Sequence, residues 1–92
     1  MPVGSPRLAQ VEITADAAEQ IDGLPIRVHG RVERVLKRLA NWPSTSGAKP
    51  LRGELKGNFR IRTGDYRIIF RYTASTDTVT VWRIGNRSDI YE

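Results

Sequence analysis

Hydrophobic and polar positions alternate along Leu8–Thr14, where Ala9, Val11 and Ile13 face one way and Gln10 and Glu12 the other. A period of two predicts a half-buried strand. Thr14 can then cap a short helix through Ile21, with Asp16 in its first turn, and Asp22-Gly23 ends it. Pro25 suits the start of a second helix, where its missing N–H costs nothing. From there the period changes to 3.6: Val28, Val32, Val35, Leu36 and Leu39 fall at i, i+4, i+7, i+8 and i+11. One apolar stripe thus runs to about Ala40, and the helix stops before Pro43. Arg27, Arg31, Arg34 and Arg38 form a second stripe on the same helix, and Gly30 weakens its middle by ~1 kcal/mol. Pro43–Pro50 reads as a Ser/Gly/Pro loop. Three strands follow at Asn58–Arg62, Tyr66–Thr73 and Thr78–Ile84, joined by tight turns at Thr63-Gly64-Asp65 and Ala74–Asp77. The string β-α-α-β-β-β predicts an α+β domain with a mainly antiparallel sheet and two helices packed on one face.

Length limits the rest. With 92 residues the chain has room for one core, so a single domain is expected over residues 8–92, after a loose tail at residues 1–7. That tail, MPVGSPR, has no apolar stretch and does not read as a secretory signal. No apolar run approaches the ~18 residues that span a bilayer. Cysteine is absent, which removes disulfides and thiolate chemistry. One histidine without cysteine cannot build a typical zinc site, and no Gly-rich phosphate loop precedes a helix, so neither metal nor cofactor is expected. These features predict a cytoplasmic protein that does not enter membranes.

Charge changes the picture more than composition does. The net charge is +5, but residues 27–72 hold twelve cations against Glu33, Glu54 and Asp65, leaving +9 there and −4 elsewhere. A basic block with acidic flanks points to a polyanionic partner, either nucleic acid or an acidic protein, although a solvated basic surface would look the same. The strand pattern locates part of this charge. In Phe59-Arg60-Ile61-Arg62 the apolar residues point to the core and the arginines share the other face; in Tyr66–Arg71, Arg67 and Arg71 go out while Tyr66, Ile68 and Phe70 go in. The hairpin should crowd Arg60, Arg62, Arg67 and Arg71 onto one exposed surface, with Asp65 the nearest carboxylate. Such a face is stabilised when a phosphate arrives. A turn after the last strand would return Arg87 and Tyr91 to the end of the sheet. Guanidiniums favour a phenolate, and a tyrosine so tuned can act as general base on a ribose 2′-hydroxyl. Arg87 rarely gives up a proton, so a phosphate clamp suits it better than a general acid. The bland alternatives are a solvated arginine face and a tyrosine that packs on the sheet edge. His29 reads as a surface residue, Trp42 and Trp82 as core or edge packing, and Phe70 and Tyr72 as sheet core.

The run Leu51-Arg52-Gly53, Phe59–Phe70 and, after a further strand, Gly85–Tyr91 resembles the RelE/ParE superfamily of toxins, as does Leu24-Pro25 opening a basic amphipathic helix. The likeness extends from about Leu8 to Tyr91. It implies the toxin of a toxin–antitoxin pair: a metal-independent endoribonuclease that cuts messenger RNA in the ribosomal A site, leaves a 2′,3′-cyclic phosphate, inhibits translation and is held by a cognate antitoxin. Carried over on matching positions, Arg60, Arg62 and Arg67 contact the scissile phosphate and Arg87 and Tyr91 complete the catalytic set, with Tyr91 as base. Arg52, Lys56 and Arg71 would bind RNA beside them. The pattern departs from some members that carry lysines at the positions of Arg60 and Arg62, and from relatives with a further C-terminal helix. ParE-type relatives inhibit DNA gyrase and generally lack the full basic and tyrosine set, so a gyrase inhibitor without nuclease activity is the alternative.

Overall fold

A computed structural model describes residues 8–86; the expected tail at 1–7, and Arg87 and Tyr91, lie outside the described residues. The elements are β1 (Gln10–Ile13), α1 (Ala15–Asp22), α2 (Ile26–Leu39), β2 (Lys49–Pro50), β3 (Asn58–Thr63), β4 (Tyr66–Thr73) and β5 (Thr78–Asn86). The α+β reading and the helix-then-sheet order hold, with one strand added. Lys49 and Pro50, expected in a loop, pair with Arg60 and Phe59. A two-residue strand cannot display periodicity, so its pairing was invisible to pattern. The five-stranded sheet runs β1-β5-β4-β3-β2, antiparallel except for the parallel β1–β5 pair.

Local chemistry explains the boundaries. Thr14 Oγ1 accepts the backbone N–H of Ala17 at 3.2 Å, which satisfies one of the orphan donors of α1. Helix α2 opens after Pro25, and the ring of His29 donates from Nε2 to the carbonyl of Leu24 at 3.0 Å. His29 therefore ties the helix entry to the preceding turn and is half-buried, not simply a surface residue. The β3–β4 hairpin closes on Gly64-Asp65 between the paired Thr63 and Tyr66. Gly64 has φ of 62°, the value that the first position of a type II′ hairpin turn requires.

Ala17 of α1 and Val28, Val32, Val35 and Leu39 of α2 bury against Ile61, Ile68, Phe70, Val79, Val81 and Ile84 of the sheet. Trp42, just past α2, sets its ring edge-on to Phe59 at 4.7 Å and to Phe70 at 5.2 Å. Thus Trp42 and Phe70 are core, and Tyr72 packs beside them while donating to Asp77 Oδ1. The opposite face of the sheet is not purely polar. Ile69 and Leu51 bury there, with Leu55 and Trp82 packed around them.

A bulge shapes that outer face. Ile69 pairs with Arg83, but Phe70 pairs with Val81, leaving Trp82 as an extra residue on β5. Val81 and Ile84 can then both point to the helices although three positions separate them. Beyond the end of β1, the N–H of Ile84 finds the side chain of Gln20, whose Oε1 accepts it at 2.7 Å.

One helix position is weaker than it need be. Gly30 is exposed within α2, and a methyl group there would meet only Arg34 Nη1 at 3.9 Å. Gly30→Ala should therefore stabilise the fold by about 0.5–1 kcal/mol, seen as a melting temperature higher by several degrees.

Candidate RNA-binding face

Register, not sequence proximity, builds the cationic face. Arg62 on β3 is the direct cross-strand partner of Arg67 on β4. Side chains of such partners share a face, with Cβ atoms about 5 Å apart. Arg60 lies two residues from Arg62 on the same strand and the same face, about 7 Å along it. Its cross-strand neighbours are Lys49 on β2 and Ile69 on β4, and Ile69 is flanked in turn by Arg83 on β5. Lys49 and Arg83 are thus cations of this face that the strand pattern missed. Strict alternation after Val79 and Val81 would put Arg83 in the core; the bulge at Trp82 returns it to the outer side. The spacing Val79, Val81, Ile84 was the available signal, since an apolar step of three inside a strand marks an inserted residue.

Burial grades these side chains. Arg62 is exposed, whereas Arg60, Arg67 and Arg83 are half-buried. Arg60, Arg67 and Arg83 each take part in an interaction of their own. Arg67 also has its Nε sealed from solvent, so its stem is packed.

The expected cluster of four divides in two. Arg71 shares the outer face, but it pairs with Asn58 at the far end of the hairpin, about 13 Å along β4 from Arg67. Arg52 and Lys56 sit at that same end, in the turn that leads from Leu51 to Asn58. Between the two groups lies the Leu51–Ile69–Leu55–Trp82 patch. Trp82 donates from Nε1 to Asn58 Oδ1 at 2.9 Å, and Asn58 donates from Nδ2 to the carbonyl of Leu55 at 3.1 Å, which fixes the indole. Trp82 is accordingly half-buried packing on the outer face. The expected placement of Arg87 and Tyr91 beside this face concerns residues outside those described. No three of His, Asp and Glu converge among the described residues. Nor is any helix among them long and apolar enough to cross a membrane.

A five-stranded mixed sheet with two helices on one face is a fold shared with a toxin of a solved toxin–antitoxin complex. The family described as ParE toxin of the type II toxin–antitoxin system parDE matches residues 11–91, and the chain belongs to this RelE/ParE superfamily of toxins. Toxin RelG of Mycobacterium tuberculosis is 38% identical over 82 residues, covering 88% of this chain and 93% of that protein. Toxin RelE of the same organism is also 38% identical over 82 residues, with 84% of its length covered. Among solved structures, the toxin–antitoxin complex RelBE2 from M. tuberculosis aligns with a TM-score of 0.78 at 32% identity, over 87% of this chain and 99% of that one.

Proposed function

We propose that this toxin is a metal-independent endoribonuclease that cleaves messenger RNA, presented on the ribosome, and is restrained by a cognate antitoxin in the cytoplasm. The observation that carries the reading is the Arg62–Arg67 cross-strand pair with Arg60 beside it on the outer face. Their Cβ atoms stand about 5 Å apart on one face, so a phosphate seated there accepts N–H bonds from both guanidinium forks. The similarity to proteins named RelG and RelE, and to a toxin solved with its antitoxin, supports both the nuclease and the partner.

In this reading the ribose 2′-oxygen attacks the adjacent phosphorus, and the bond from phosphorus to the 5′-oxygen breaks. The proton of the 2′-hydroxyl passes to Tyr91 as its phenolate, and the departing 5′-oxygen takes one up from water. The products are a 2′,3′-cyclic phosphate and a 5′-hydroxyl. Arg60, Arg62, Arg67 and Arg87 stabilise the pentacoordinate phosphorane, whose extra negative charge is what fixed cations recognise best. Arg52, Lys56 and Arg71 hold the strand farther along. Purified toxin should therefore cut RNA on programmed ribosomes equally well with and without EDTA and leave cyclic phosphate ends. Loss of cutting in EDTA, or 3′-hydroxyl ends, would refute the mechanism. Absence of cutting together with inhibition of gyrase supercoiling would establish the alternative.

A further inference from the structure

The arginine stripe of α2 plays no part in the cleavage face. At about 100° per residue, Arg27, Arg31, Arg34 and Arg38 fall within an arc of roughly 60°, centred about 100° from the buried Val28–Val32–Val35–Leu39 line. They therefore occupy one shoulder of the helix. All four are exposed. Arg38 reaches Ser46 through Nη2 at 3.5 Å, while no hydrogen bond or ion pair holds Arg27, Arg31 or Arg34 among the described residues. Glu33, the carboxylate of this helix, points well away from the stripe by the same geometry. Arg31 Nη1 comes within 3.0 Å of the point where Gly64 would carry a Cβ. The stripe thus meets the tip of the β3–β4 hairpin, whose outer side carries Arg62 and Arg67. Gly30 lies beside the stripe and places no side chain there, leaving the flank open to a close-approaching backbone.

We propose that this shoulder is a second binding site, which docks the phosphate backbone of double-helical RNA independently of cleavage. From Arg27 to Arg38 the stripe runs about 16 Å along the helix axis, a length over which one strand presents roughly five phosphates. An acidic protein segment is the competing occupant, but amphipathic segments need apolar anchors. Between Arg27 and Arg38 the shoulder offers none, and the one highly exposed apolar side chain of α2, Ile26 at 87%, precedes it.

The test uses full-length toxin and a blunt RNA duplex of ~16 base pairs, with affinity read by fluorescence anisotropy across a salt series. Arg27→Gln/Arg31→Gln/Arg34→Gln should weaken duplex binding on the order of tenfold or more and flatten the salt slope by about 2–3. At saturating toxin, its cutting of messenger RNA on programmed ribosomes should be unchanged. Arg60→Gln/Arg62→Gln should do the reverse, so failure of the nuclease reading leaves this measurement intact. The triple Arg→Lys variant keeps the charge and should retain most duplex affinity, which separates docking from any effect on folding. Unaltered affinity and slope in the triple Gln variant would overturn the proposal. So would loss of binding to an acidic peptide with duplex binding untouched, which would assign the shoulder to a protein.

Discussion

Arg62→Ala should lower RNA cleavage by about 10²–10³-fold without a measurable change in stability. The loss follows from its place. A group that stabilises charge appearing only in the transition state commonly contributes a factor of this size to the rate. Because Arg62 is exposed and stands directly across from Arg67, truncation removes little packing and relieves a like-charge neighbour. The folded state should therefore change by no more than about 0.5 kcal/mol. Arg62→Lys should fall between, since it restores charge but not the two-pronged fork. Single-turnover cleavage beside a thermal melt checks all three. Full activity in Arg62→Ala would remove the clamp from the account.

Phe70→Ala should cost about 3–5 kcal/mol, much of the 5–15 kcal/mol that a domain of this kind commands. Phe70 has no exposed surface and sits at the meeting point of helices and sheet. Its ring stacks on Phe59 at 5.7 Å and receives Trp42 edge-on at 5.2 Å. Neither neighbour can collapse into the void: Phe59 is held by its strand pairing, and Trp42 already bridges three rings. Urea unfolding should show the transition moving to much lower denaturant, with partial unfolding in water an acceptable extreme. A loss below about 1 kcal/mol would mean that the aromatic cluster is far more plastic than its packing indicates.

The helices and the central hairpin were legible because their signals are local and repeated. The Val28–Leu39 stripe, the Thr14 cap and the alternation in β3 each repeat one rule within a few residues. What escaped depended on pairing between distant segments. A two-residue β2 has no period, and the parallel partnership of β1 with β5 joins residues some seventy positions apart. The bulge at Trp82 reverses the strand phase, which hid Arg83. Alternation assigns Trp82 and Ile69 to the solvent side, and only the packing of Leu51 and Leu55 against them shows that they are covered. The arginine face was readable from β3 and β4 alone. Its division was not, because the distance from Arg67 to Arg71 matters only once Leu51 and Trp82 are known to fill the gap. Gln20 capping Ile84 from α1 left no trace in the sequence, since a glutamine on a short amphipathic helix usually faces water.

The central claim is that growth arrest by this toxin comes from RNA cleavage at the arginine face, and cellular RNA can test it directly. Wild type, Arg60→Gln/Arg62→Gln and Tyr91→Phe should each be induced, with messenger RNA 5′ ends mapped before and after. The account predicts new in-frame ends carrying 5′-hydroxyls with wild type, and their loss together with restored growth in both variants. Growth arrest by all three proteins without new ends would contradict it.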